Sequence, residues 1–264
     1  MKICALQLGT LPMSDSRLDY YLRLAKEGGA GVVVLGEYVL NSFFTELAKM
    51  PKSMIKEQSE QKRASLSNLA RKYDLTIIAP IVQIKGKETR KLLAKFAPES
   101  VKYKEQNALM PYSHWNERAF FAHEDAPSVM SFSAGGFKFA AIFGFEAHFD
   151  AFWEIIRAKK IDCVLVPTAC ALDSGERWAE LLKMRAFTNN VYILRANRLG
   201  KAKFEGVATE FYGRSFLASP HGEITNALDE KEGMLICDLD KKLLAEARAT
   251  WKFREINSNL NIQI

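Results

Sequence analysis

The sequence predicts an α/β protein, and three observations carry that class. Short β-rich runs alternate with longer amphipathic stretches along most of the chain. Several of those runs, such as Val32-Val33-Val34-Leu35 and Val164-Leu165-Val166, have no polar position, the pattern of strands buried on both faces. No low-complexity linker or composition break interrupts the 264 residues, which points to a single domain over 1–250 followed by a tail over 251–264.

The chain opens on Lys2-Ile3-Cys4-Ala5-Leu6-Gln7-Leu8, a strand over 2–8. An amphipathic stretch over 17–27 follows, with Ser16 to cap it and Gly28-Gly29 to end it. A strand over 31–35 leads to a helix over 55–72 and a strand over 75–84. The runs 92–97 and 101–108 join through Ala97-Pro98-Glu99-Ser100 as a hairpin. In the second half, strands over 137–143, 162–167, 191–196, 214–219 and 234–239 are expected. Helices over 149–159, 175–187 and 241–248 separate them. The segment from Trp251 onward is polar and Asn-rich, and reads as a tail.

Composition narrows the function classes. A hydrophobic fraction of 48% with 26% charged residues excludes wholesale disorder. No apolar run approaches the ~18 residues of a membrane span, and no small-residue cleavage site follows the first strand. The 37 basic and 31 acidic residues are interspersed, so the net charge of +6 gives little support to a nucleic-acid partner. Cys4, Cys163, Cys170 and Cys237 are scattered, three of them in apolar runs, as expected of reduced thiols in a cytoplasmic protein. The four histidines are dispersed without the i, i+4 spacing of a zinc helix, so no metal is expected, and no cofactor either.

The order of motifs resembles the nitrilase, or carbon–nitrogen hydrolase, superfamily over nearly the whole chain. The first is an acidic residue just past an apolar strand, Val32-Val33-Val34-Leu35-Gly36-Glu37-Tyr38, with Gly36 where that family usually carries proline. The second is Glu117 within His114-Trp115-Asn116-Glu117-Arg118-Ala119-Phe120-Phe121. Then come Val166-Pro167-Thr168-Ala169, Trp178, Arg185-Ala186, Asn189, Asn197, Gly200, Gly213-Arg214-Ser215, Pro220-His221-Gly222 and Asp238-Leu239-Asp240. The resemblance implies a four-layer α-β-β-α sandwich, cleavage of amides or nitriles at a Glu–Lys–Glu–Cys site, and pairing of subunits into a homodimer or higher homo-oligomer.

At the nucleophile the pattern departs. The segment that matches the family's cysteine motif is Phe143-Gly144-Phe145-Glu146-Ala147-His148-Phe149, which puts Gly144 where the thiol belongs. No cysteine lies between Cys4 and Cys163 to rescue another register. The lysine is displaced too. Counting back from Leu109-Met110-Pro111 puts Gln106 in its slot, whereas anchoring on Tyr103 suggests Glu105 with Lys104 beside it. Residues two apart on a strand share a face, so both Lys104 and Gln106 are candidates.

The resemblance makes Glu37 the general base, which without a thiol could only orient a water. As plain structural residues, Glu37 would be a strand-end carboxylate and Glu117 an ion-pair partner of Arg118 or Lys104. Cys170 follows the buried strand at its C-terminal end, where open α/β sheets place their sites. It is either a small rim thiol or a relocated nucleophile. Trp115, Phe145 and His148 are the other expected pocket residues. Two functions remain: a binding or regulatory subunit for a small amide- or nitrile-like ligand, or an amidase using a Glu37-directed water or the Cys170 thiol.

Overall fold

The computed structural model describes residues 1–124, 126–204 and 207–259. Its first half runs β1 (Lys2–Gln7), α1 (Ser16–Glu27), β2 (Ala30–Leu35), α2 (Phe44–Leu47), α3 (Lys52–Tyr73), β3 (Thr76–Lys85), β4 (Glu88–Ala97) and β5 (Ser100–Glu105). A short excursion, β6 (Pro111–Tyr112), β7 (Trp115–Asn116) and α4 (Glu117–Phe120), leads to β8 (Met130–Ala134) and β9 (Phe137–Ala141). A 3-10 turn over Phe145–His148 precedes α5 (Asp150–Ala158), β10 (Cys163–Thr168), α6 (Gly175–Asn189) and β11 (Tyr192–Asn197). The chain finishes with β12 (Leu199–Phe204), β13 (Val207–Tyr212), β14 (Phe216–Ala218), β15 (Ile224–Ala227), β16 (Gly233–Asp238), α7 (Lys241–Trp251) and α8 (Phe253–Asn259).

Two six-stranded mixed sheets result, ordered β16-β1-β2-β3-β4-β5 and β15-β14-β11-β10-β9-β8. In each, three parallel strands sit at the centre and antiparallel partners at the flanks. Strand parity explains the layering. On β2, Val32 and Val34 face inward while Val33 and Leu35 face α1 and α3. On β10, Cys163 and Leu165 face inward while Val164 and Val166 meet α5 and α6. The inner faces pack on each other through Ile3, Val34, Ile78, Phe139, Leu165 and Leu194, giving a four-layer α-β-β-α sandwich. Among the described residues no helix is long and apolar enough to cross a membrane.

Several expectations need correcting. Asp15, not Ser16, holds the cap position of α1, and no side chain there bonds the first turn. β4 begins at Glu88 rather than at 92, because its polar first residues are carried by pairing with β3, Lys85 with Glu88 and Val82 with Lys91. β5 ends at Glu105, which leaves Gln106 beyond the strand. The segment set apart as a tail is helical over Phe253–Asn259. There Phe253 and Trp251 pack against Phe187 of α6 at 5.2 and 4.9 Å. Residues 260–264 lie outside the described residues.

Candidate functional site

The candidate site forms where β2 of one sheet and β10 of the other end side by side. Glu37, just past β2, donates its backbone N–H to Thr168 O at 3.1 Å, tying the two sheets together. Gly36 permits that approach, since a Cβ there would lie 2.9 Å from the Arg198 backbone nitrogen. Tyr38 then turns the chain in the left-handed region, φ 58°. A tyrosine held there is strained, and surrounding contacts must enforce it.

Between Glu37 and Glu117 lies a lysine the sequence reading did not select. Lys91 of β4 donates through Nζ to Glu37 Oε2 and, at 2.7 Å, to Glu117 Oε1. Tyr38 closes the group by donating its hydroxyl to Glu117 Oε1, and its ring lies 4.4 Å from the ammonium. Phe143 covers the ammonium at 5.2 Å. Glu37, Lys91 and Glu117 are 2, 3 and 0% exposed, so this ion cluster is sealed. Burial pushes the Glu37 carboxyl up to about 7; Lys91 opposes the rise and the neighbouring Glu117 charge adds to it. Lys91 is raised: burial disfavours its charge, but Glu117 and Glu37 more than compensate. Glu117 Oε2 is buried without a hydrogen-bond partner among the described residues.

Neither expected occupant of the lysine slot is there. Lys104 sits two positions before Gln106, yet its ammonium pairs with Glu146 Oε1 at 2.6 Å. Glu146 also accepts from the backbone N–H groups of Asn107 (2.8 Å) and Phe143 (2.9 Å), which makes it an anchor for the turn after β9. Gln106 bends back to Ala108 O at 2.7 Å. Its backbone N–H bonds Lys91 O at 3.0 Å, so the site lysine stands directly beside the expected position, one strand over. The missed signal was parity: Leu93 faces the inner core, and Lys91, two residues earlier, shares its face.

Gly144 adjoins the cluster. Its φ of −52° and ψ of −50° suit any residue, so positive φ does not hold this glycine. Space does. A Cβ would lie 3.3 Å from Glu37 Oε1 but only 2.7 Å from Thr168 Cγ2. Thr168 is itself pinned, its Oγ1 donating to Asn197 Oδ1 at 2.9 Å and accepting from Arg195 Nε at 3.2 Å.

A cleft of about 540 Å³ is lined by Trp115, Phe145, His148 and Cys170, together with Tyr112, Trp178 and Arg177. All four expected pocket residues therefore share one wall system, while Glu37, Lys91, Glu117 and Gly144 do not line it. The Cys170 backbone N–H donates to Asn197 Oδ1 at 2.8 Å. Burial raises its thiol above the usual range although the nearby Arg195 pulls the other way, so the thiol stays protonated at neutral pH. His148 donates through Nδ1 to Phe145 O (3.1 Å) and packs edge-on against Trp178, and burial lowers its pKa.

Comparison with known proteins follows the same lines. The carbon-nitrogen hydrolase family model matches residues 15–249. N-carbamoylputrescine amidase of Arabidopsis thaliana is 34% identical over 93 residues, 32% of this chain and 30% of that protein. The chain thus matches under a third of that curated relative's length. A carbon-nitrogen hydrolase from Helicobacter pylori G27 superposes with TM-score 0.84 at 19% identity, covering 99% of this chain and 98% of the other. A glutamate-to-glutamine mutant of the amidase from Nesterenkonia sp. AN1, which shows acrylamide added at its active-site cysteine, superposes with TM-score 0.77 at 24% identity over 98% of this chain and 99% of its own. At these identities the two structures speak for the fold.

Proposed function

Because the chain belongs to the carbon-nitrogen hydrolase family, its site is to be judged by what that chemistry requires, and we propose that it is a member without covalent catalysis. In this reading it binds a small amide-like ligand in the cleft and serves as a binding or regulatory subunit, as a homodimer or beside an active relative. One observation carries the reading: the position next to the Glu37 carboxylate is Gly144, with no side chain and no room for one while Thr168 keeps its rotamer. Acyl transfer through an enzyme intermediate needs a nucleophile, and a general base contributes only when it has something to deprotonate. In this reading the Lys91 ammonium is held between the two carboxylates as a buried ion cluster with no thiol to act on.

Incubation with short aliphatic amides, N-carbamoyl amino acids and simple nitriles tests this. No acyl adduct should appear by intact mass, and ammonia release should stay at background. Compounds that bind should raise the melting temperature saturably, and Trp178→Ala should abolish the rise. A second reading rests on Cys170, which lines the cleft. Saturable turnover that disappears in Cys170→Ser and survives Cys163→Ser would establish that thiol as the nucleophile and end the first reading. Turnover that survives both but is lost in Glu37→Gln would point instead to a water directed by Glu37.

A further inference from the structure

A cleft of about 690 Å³ lies away from the Glu37 cluster, between α5, α7 and the joint of α7 with α8. Among the described residues its walls carry Arg157, Lys160, Arg248, Lys252 and Arg254 and the carboxylates Glu154 and Glu255. The nearby Asp162 is already shared by Lys241 and Arg248, at 2.8 and 2.9 Å. Among the described residues neither Arg157 nor Arg254 has a carboxylate within ion-pair distance. Two guanidinium groups even converge on one carbonyl, Arg248 and Arg254 both donating through Nη2 to Ile161 O, at 2.9 and 2.5 Å. Arg254 further donates through Nε to Asn189 O at 2.9 Å, and Arg157 reaches Asn189 Oδ1 at 2.9 Å.

Part of this arrangement is structural, because cations at the C-terminal ends of α5 and α6 complement the exposed carbonyls there. That account covers the bonds to Ile161 and Asn189 but not the surplus charge or the cavity. Like charges packed this closely repel. Burial, then Arg248 and Arg157, hold the Arg254 guanidinium down to about 10, with Asp162 opposing them only in part. Among the described residues Arg157 Nε and Arg248 Nε are buried without hydrogen-bond partners. An anion seated among these guanidinium groups would offset their mutual repulsion.

We propose that this cleft is a binding site for a small phosphate-bearing ligand. The three arginines supply the planar, forked donors that match phosphate oxygens, and Lys160 and Lys252 form a cationic rim. The volume suits a small molecule that carries such a group, within the range of ordinary ligand pockets. The site shares no lining residue with the aromatic cleft at Trp115 and Cys170, so it stands whether or not that cleft binds an amide.

Titration of the full chain with inorganic phosphate and pyrophosphate, at constant ionic strength and with succinate as the carboxylate control, reads the proposal directly. Calorimetry should give saturable binding of the phosphates, tighter for pyrophosphate, with a parallel rise in melting temperature. In Lys160→Gln/Lys252→Gln, whose altered side chains are exposed, binding should weaken about tenfold or more, the usual effect of losing charged partners. Arg254→Gln should weaken it further. Since that variant also gives up two bonds to backbone carbonyls, the lysine pair keeps the test valid if it unfolds. Lys85→Gln/Lys87→Gln, on the exposed β3–β4 turn, should bind as the wild type does. Absence of saturation, binding that ignores the Lys160 and Lys252 changes, or a preference for succinate would each overturn the phosphate assignment.

Discussion

Gly144→Cys restores the missing thiol, and the structure says what that costs. The backbone at 144 is already helical, so the change brings no φ strain. Its Cβ, however, arrives 2.7 Å from Thr168 Cγ2, about an ångström inside the ordinary carbon–carbon contact of roughly 3.5–4.0 Å. Thr168 cannot swing aside cheaply, because its hydroxyl holds Asn197 and Arg195. Overpacking of this kind costs about 1–3 kcal/mol. Thr168→Ser deletes the offending methyl and keeps the hydroxyl, at a cost of about 1 kcal/mol for the lost apolar group. The two changes should therefore couple. Urea unfolding of the wild type, both single variants and the double variant should show the double variant more stable than additivity predicts by about 1–2 kcal/mol. Additive costs would mean that the Thr168 contact does not guard the position, and the steric reasoning would fail. The same variant bears on chemistry. With Glu37 Oε1 3.3 Å from that Cβ and Lys91 in place, the introduced thiol has a base and a cation beside it. Intact mass after incubation with amides should then reveal an acyl adduct in the double variant without Gln106→Lys, because the lysine is already supplied from β4.

Three further outcomes follow, two from the buried charges and one from the close approach of the sheets. Glu37 moves from its ordinary 4.5 to about 7 on folding, so the folded chain takes up a proton between those values. The stability this group contributes is full below pH 4.5 and is lost as pH rises to 7, by about 3 kcal/mol. Urea midpoints of wild type minus Glu37→Gln should trace that fall; a flat difference would refute the raised carboxyl. Lys91→Met leaves Glu37 and Glu117 buried without their cation and should destabilise by about 3–5 kcal/mol, read by chemical unfolding. Gly36→Ala drives a Cβ to 2.9 Å from the Arg198 backbone nitrogen, where no side chain can rotate away. It should cost about 1–3 kcal/mol, and a melting temperature equal to wild type would contradict the close approach of the two sheets.

Local pattern determined much of this molecule. Doubly apolar runs such as 32–35 and 164–166 announce buried central strands because a strand covered on both faces has no polar position to spare. Glu37 and Gly144 are legible only through the resemblance of 32–38 and 143–149 to family motifs. Glu117 and the aromatic pocket residues follow from the order of motifs. The lysine was not legible. Glu88-Thr89-Arg90-Lys91 is polar, so pattern alone starts the strand at 92, whereas β4 is extended by its hydrogen bonds to β3. Cross-strand pairing is a property of two segments far apart in the chain, and no single segment carries it. The same holds for the crowding of Gly144 by Thr168, for Lys104 turning to Glu146, and for the gathering of Arg157, Arg248 and Arg254 around one cleft. In each case the one-dimensional pattern tells which residues are buried or charged, while the partner that sets their chemistry arrives only when the two sheets and their outer helices close on one another.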